Sequence, residues 1–302
     1  MTTTTDQPGA SFDWDTLTLT KGSHELGDTD DCGNPALCFM EALNASRGLW
    51  VTDACPSDVS ETLHAFIIGL NDALGTIHRQ QLKPYRDRIG GTNGQLDADR
   101  RAAYMCVDWL IRTHTVAFLR VAGLIEHADA LAHANEIVDF ATLGQVTERL
   151  LAARLAAYSA AHLVAQETAE VTRISETASA AYSTAYSAAA AAADSAMYLA
   201  AHSVAYSAGR LAVYSETASA AYSVAYSTAR AAAYLAAHSV AYSAGRLAVY
   251  SGEHVAAYSA ARAARAARAA ANLMLAPTVA ALQASAFDLL DRMLAAYTVV
   301  TA

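Results

Sequence analysis

Between Arg154 and Arg262 the chain repeats a four-residue unit, x-Ala-Tyr-Ser, and this period limits the possible folds more than any other feature. All 12 tyrosines of that stretch, Tyr158 to Tyr258, fall in one register of four. His162, His202, His238, His254 and five arginines replace Tyr in the same register, and every Ser takes the next position. Ala is the best helix former and no Pro interrupts residues 150–276, so helix is predicted throughout. An α-helix turns about 100° per residue, so each unit carries the Tyr position about 40° further round. The Tyr row therefore winds around the helix. Supercoils rest on repeats near 3.5 or 3.67 residues, and a four-residue period fits neither. The same winding denies an ice-binding reading the flat hydroxyl face it needs. One unbroken helix over residues 150–271 would be about 180 Å long and would leave every ring in water.

Longer repeats lie over the short one. "AHSVAYSAGRLAVYS" ends at Ser215 and recurs 36 residues later, ending at Ser251, while "SETASAAYS" recurs at a spacing of 40. The difference is one unit, as a twelve-nucleotide slippage would produce. Helical hairpins that break near Gly209 and Gly245, or side-by-side association of several chains, would cover the rings. Both let Ala and Ser rows approach to about 8 Å while Tyr laps over the neighbour. An α-solenoid with one helix pair per repeat ranks second, because one tetrapeptide serves throughout.

Much of the 54% hydrophobic content of the 302 residues is Ala, so it promises less core than the figure suggests. Charge is uneven: residues 1–150 carry 11 Lys and Arg against 21 Asp and Glu, and residues 151–302 carry 9 against 8. An acidic head argues against a grip on nucleic acid, which needs excess cationic charge. "MTTTTDQPGASFDW" has neither a basic nor an apolar signal region, and no stretch is apolar enough to span a membrane. A cytoplasmic, reduced protein is the expectation, with Cys32, Cys38, Cys55 and Cys106 as thiols.

The chain divides into a mostly irregular segment (1–34), a helical head (35–149), the repeat tail (150–276) and a C-terminal amphipathic helix (277–302), an all-α protein. In the head, "NPALCFMEALNASRG" places Pro35 near a first helical turn and Gly48 just past the end. "PSDVSETLHAFIIGLNDALG" gives Asp58 and Glu61 capping-box spacing, with Val59, Leu63, Phe66, Leu70 and Leu74 on one face. After a loop at "GGTNG", "DADRRAAYMCVDWLIRTHTVAFLRVAG" and "IEHADALAHANEIV" read as two more helices. Beyond Pro277, Leu275, Val279, Leu282, Ala286, Leu289, Met293 and Val300 follow a heptad pattern suited to capping a bundle or pairing chains. Arg262, Arg265 and Arg268 read as a solvated helix edge.

Candidate chemistry gathers in "KGSHELGDTDDCGNPALCFMEA". His24, Cys38, Cys55 and a fourth ligand such as Cys32 or Asp53 could make a tetrahedral zinc site, and Cys38 could be a nucleophile with His24 as base. No C-x-x-C pair supports the first, and nothing supplies an oxyanion hole for the second, so buried helix cysteines and a loop histidine are the plainer reading. "LTLTKGSHE", "CFMEA", "NDAL" and "GGT" resemble the head of an uncharacterised family found in actinobacteria and their phages, which often ends in Ala-rich tetrapeptide tails. The resemblance covers roughly residues 16–140 and carries over no functional residue.

Two functional readings follow. In the first the chain is a non-enzymatic structural or interaction protein without a cofactor. It forms a homo-oligomer or filament through Tyr198, Tyr206, Tyr214, Tyr234, Tyr242, Tyr250 and Tyr258. In the second the head performs thiol or zinc chemistry and the tail is a spacer.

Overall fold

The computed structural model describes residues 13–25, 27–30, 33, 35–172 and 256–298. Among them the chain is all-α, with no sheet and two isolated bridges, Leu19 to Leu37 (parallel) and Thr29 to Pro35 (antiparallel). None of these helices is long and apolar enough to cross a membrane. The described residues fall into two compact units, residues 13–103 with 288–298, and residues 104–172 with 256–287.

In the first unit, α1 is Phe39–Ser46 and α2 is Glu61–Ala73. The start of α1 corrects the expectation at Pro35: that residue pairs with Thr29 in a bridge, and Cys38 is the N-cap. The stop at Gly48 is as expected, for Gly48 has φ +73°, a left-handed conformation that favours a residue without Cβ. The cap of α2 is Ser60, whose Oγ accepts from the N–H groups of Thr62 and Leu63. Asp58 is held elsewhere: its carbonyl accepts from Thr92 and Asn93, and its carboxylate pairs with Arg47. The predicted core face of α2 is buried throughout. α3 (Thr76–Arg79) leads into a 3₁₀ helix, Gln80–Asp87. In the irregular N-terminal segment the alternating Leu17 and Leu19 are buried with Trp14, whose ring meets Phe39 edge-on at 5.9 Å.

The helix predicted over residues 97–123 comes as α4 (Leu96–Trp109), a π-helical turn (Leu110–Thr115) and α5 (Val116–Val121). The Thr115 hydroxyl donates to the Leu110 carbonyl, five residues back, which suits the wider turn. In the second unit, α6 (Ile125–Ala132) packs against α5 and against α7, Phe140–Thr172. Asp139 caps α7, its carboxylate accepting from the Thr142 N–H at 2.7 Å.

The last helix, α8, is Ala256–Thr298 and runs through Pro277. Its heptad residues Leu275, Leu282 and Ala286 are buried in the second unit, where Trp109 Nε1 donates to Ser285 Oγ at 2.9 Å. Leu289 and Met293 are buried in the first. Tyr258 lies in the first turn of α8. The other tyrosines named for self-association, the expected hairpin or solenoid, Cys32 and Val300 lie outside the described residues.

Candidate functional site

Glu41 organises the sequence around His24 and Cys38. It stands in the first turn of α1 with its side chain fully buried. One carboxylate oxygen accepts from the His24 backbone N–H at 2.5 Å. The other accepts from the Cys38 N–H at 2.7 Å and faces His24 Nδ1 at 2.9 Å. Cys38 Sγ in turn accepts from the Glu41 N–H at 3.5 Å, which completes a capping box with sulfur in the place of a hydroxyl. The segment 20–24 is thereby clamped to the start of α1.

The end of α2 braces the same segment. Asn71 Nδ2 donates to the Thr20 carbonyl at 3.0 Å, its Oδ1 accepts from the Phe39 N–H at 3.2 Å, and Asp72 accepts from the Gly22 N–H at 2.9 Å. Buried Arg79 donates to the carbonyls of Asn71, Leu74 and Leu19, two of them at the C-terminal end of α2, where a cation suits the helix dipole. Burial pushes its guanidinium below the ordinary value, against the opposing pull of Asp72.

A second cluster gathers at the start of α2. Ser60 Oγ bonds to an oxygen of the Asp99 carboxylate and lies 2.8 Å from the Tyr297 hydroxyl, which donates to the same Asp99 oxygen at 2.6 Å. All three residues are buried. Thr92, from the "GGT" loop, accepts the Ser60 N–H and donates to the Ile89 carbonyl. A groove of about 460 Å³ opens between Trp14, Arg47, Arg86 and Gly90. Each of its guanidinium groups already faces a carboxylate, Arg47 that of Asp58 and Arg86 that of Asp87.

The arrangement bears directly on the chemistry expected from the sequence. Burial first, and the Glu41 charge second, push the Cys38 thiol far above its ordinary value. Cys38 is a thiol at neutral pH, and the thiolate is the nucleophile. Cys55 Sγ points at the carbonyls of Pro56 and Val59, and the Asp53 carbonyl faces His64 Nε2 at 2.6 Å. Among the described residues no three His, Cys, Asp or Glu side chains gather as metal ligands. His24 and Cys38 meet through Glu41.

Thr20 Oγ1 lies 3.3 Å from His24 Nε2, so hydroxyl, imidazole and buried carboxylate follow in the order of a nucleophilic triad. An acyl-transfer site also needs N–H donors aimed at the developing oxyanion. Here the N–H groups of Thr20, Gly22, His24 and Glu25 are taken by Leu37, Asp72, Glu41 and Asp28. The bonds of this cluster hold backbone to backbone across the unit. No family model, curated protein or solved structure matches the chain.

Proposed function

We propose that this chain is a non-enzymatic structural or interaction protein that self-associates, as a homo-oligomer or filament, through the tyrosine register of its repeat tract. One observation carries the reading: of the residues named for thiol or zinc chemistry in the head, His24, Cys38 and Cys55, which lie among the described residues, are engaged with neighbouring backbone and with Glu41. Two features add support. α7 and α8, which lead into and out of the tract, both have faces buried in the second unit. A row of exposed tyrosines would also make an apolar surface larger than a soluble monomer tolerates. The meeting of "KGSHE", "CFMEA" and "NDAL" residues around Glu41 supports kinship with the actinobacterial and phage family.

Replacing Tyr206, Tyr214, Tyr242 and Tyr250 by Ala tests the reading, because Ala keeps helix propensity while each Tyr removed takes away roughly 150 to 250 Å² of contact area. Helicity is expected to hold or rise while the mass by light scattering falls. A variant that assembles as the parent does would move the contact away from these rings.

A further inference from the structure

α7 carries two apolar faces. Leu143, Val146, Leu150, Ala153 and Ala157 form the first and are buried. Phe140, Leu151, Leu155 and Tyr158 form the second and are 59%, 44%, 68% and 51% exposed. At about 100° per residue these four side chains fall within an arc of about 60°, centred about 120° round from the buried face. They run for about 27 Å along the helix, a stripe as narrow as the seam of a helix pair. Phe140 and Leu151 are eleven residues apart, a spacing that gives a gently right-handed pairing. Arg154 leans along this stripe, its guanidinium 5.6 Å from the centre of the Tyr158 ring.

We infer that this stripe is the contact through which α7 pairs in parallel with α7 of a second copy of the chain. The inference rests on the proposed self-association and names where it begins. Charge selects the occupant and its direction. Glu148 lies on one flank of the stripe and Arg154 on the other, each about 60° from its centre. Parallel helices bring opposite flanks together, as e and g positions meet in parallel coiled coils. Glu148 of each copy then faces Arg154 of the other, twice over. Antiparallel helices would bring like flank to like flank and lose both pairs.

Area sets the limits of the contact. Four large side chains at half exposure offer on the order of 400 Å² per partner, about half of what a stable interface buries. The seam therefore needs continuation. Residues 173–255 follow directly from α7, and Tyr158 is the first tyrosine of their register.

Cysteine cross-linking of the full chain tests this, with Cys32→Ser and Cys55→Ser as the background, which leaves only the buried Cys38 and Cys106. Oxidation is expected to join copies of the Leu151→Cys variant and, separately, of the Leu155→Cys variant, because a parallel two-fold brings every seam position opposite itself. Ala152→Cys, off the seam, should stay uncoupled. Coupling at only one of the two seam positions would mean antiparallel helices, and coupling at neither would remove the contact; either result overturns the inference. A Leu151→Glu, Leu155→Glu double variant separates the layers of the account. Both positions are exposed, so helicity should be unchanged while association weakens about tenfold or more. Parent-like mass in that variant, beside a loss of mass in the tyrosine variant, would sink the α7 seam and leave the repeat tract as the contact. A monomeric parent would sink both.

Discussion

A glutamate in the first turn of a short helix ordinarily reads as a solvated residue that complements the helix dipole. Glu41 is buried instead, and it accepts from two backbone N–H groups besides facing His24. Removal of such an acceptor leaves buried donors without partners. Glu41→Ala is expected to cost about 3 kcal/mol in urea unfolding, with Glu41→Gln, which keeps an acceptor oxygen, costing less. Cys38 gives a second expectation, with a pH signature. Its folded value lies above its unfolded one, so the stability it contributes is complete below the ordinary thiol value near 8.5 and is lost as pH rises toward the folded value. Unfolding free energy should fall above that pH by up to about 1.4 kcal/mol per unit. Cys38→Ser, which keeps a capping oxygen, should fold without that slope. The sequence makes His24 and Cys38 conspicuous as residue types. It hides Glu41 as their common partner, because the bond to His24 joins residues 17 apart and no local period marks it.

At the scale of elements, the legible parts were those with a strong local period. The core face of α2 and the stop of α1 at Gly48 follow from spacing and from glycine chemistry. The starts of both helices were missed for tertiary reasons. Pro35 is drawn into a bridge, and a sulfur cap is a weak sequence signal. Asp58 is occupied by Arg47 and the "GGT" loop, which leaves Ser60 to cap α2. The π turn after Trp109 and the passage of α8 through Pro277 break no hydrophobic period, so nothing in the pattern announces them. α8 is anchored in the first unit by three contacts: Tyr297 with Asp99 and Ser60, Asp291 with Arg88 at 2.6 Å, and Arg101 with the Ala296 carbonyl at 2.9 Å. Tyr297→Phe removes one buried donor to a carboxylate and should cost about 2 kcal/mol. Hydrogen exchange is the check that locates the effect: amides of residues 288–298 should lose protection first, while loss spread evenly over the unit would mean that Tyr297 is ordinary core.

For the whole molecule, the described residues supply a folded acidic head whose polar clusters hold it together, and helices that lead into and out of a tract rich in tyrosine. The four-residue period explains why the tract cannot hide its rings as a regular coiled coil. The self-association proposed above would grow with concentration by mass action. Light scattering of the unmodified chain over a wide concentration range tests this most directly. The mass is expected to climb above the 31.7 kDa of one chain as concentration rises. A mass fixed at 31.7 kDa across the range, with the tract fully helical, would contradict it.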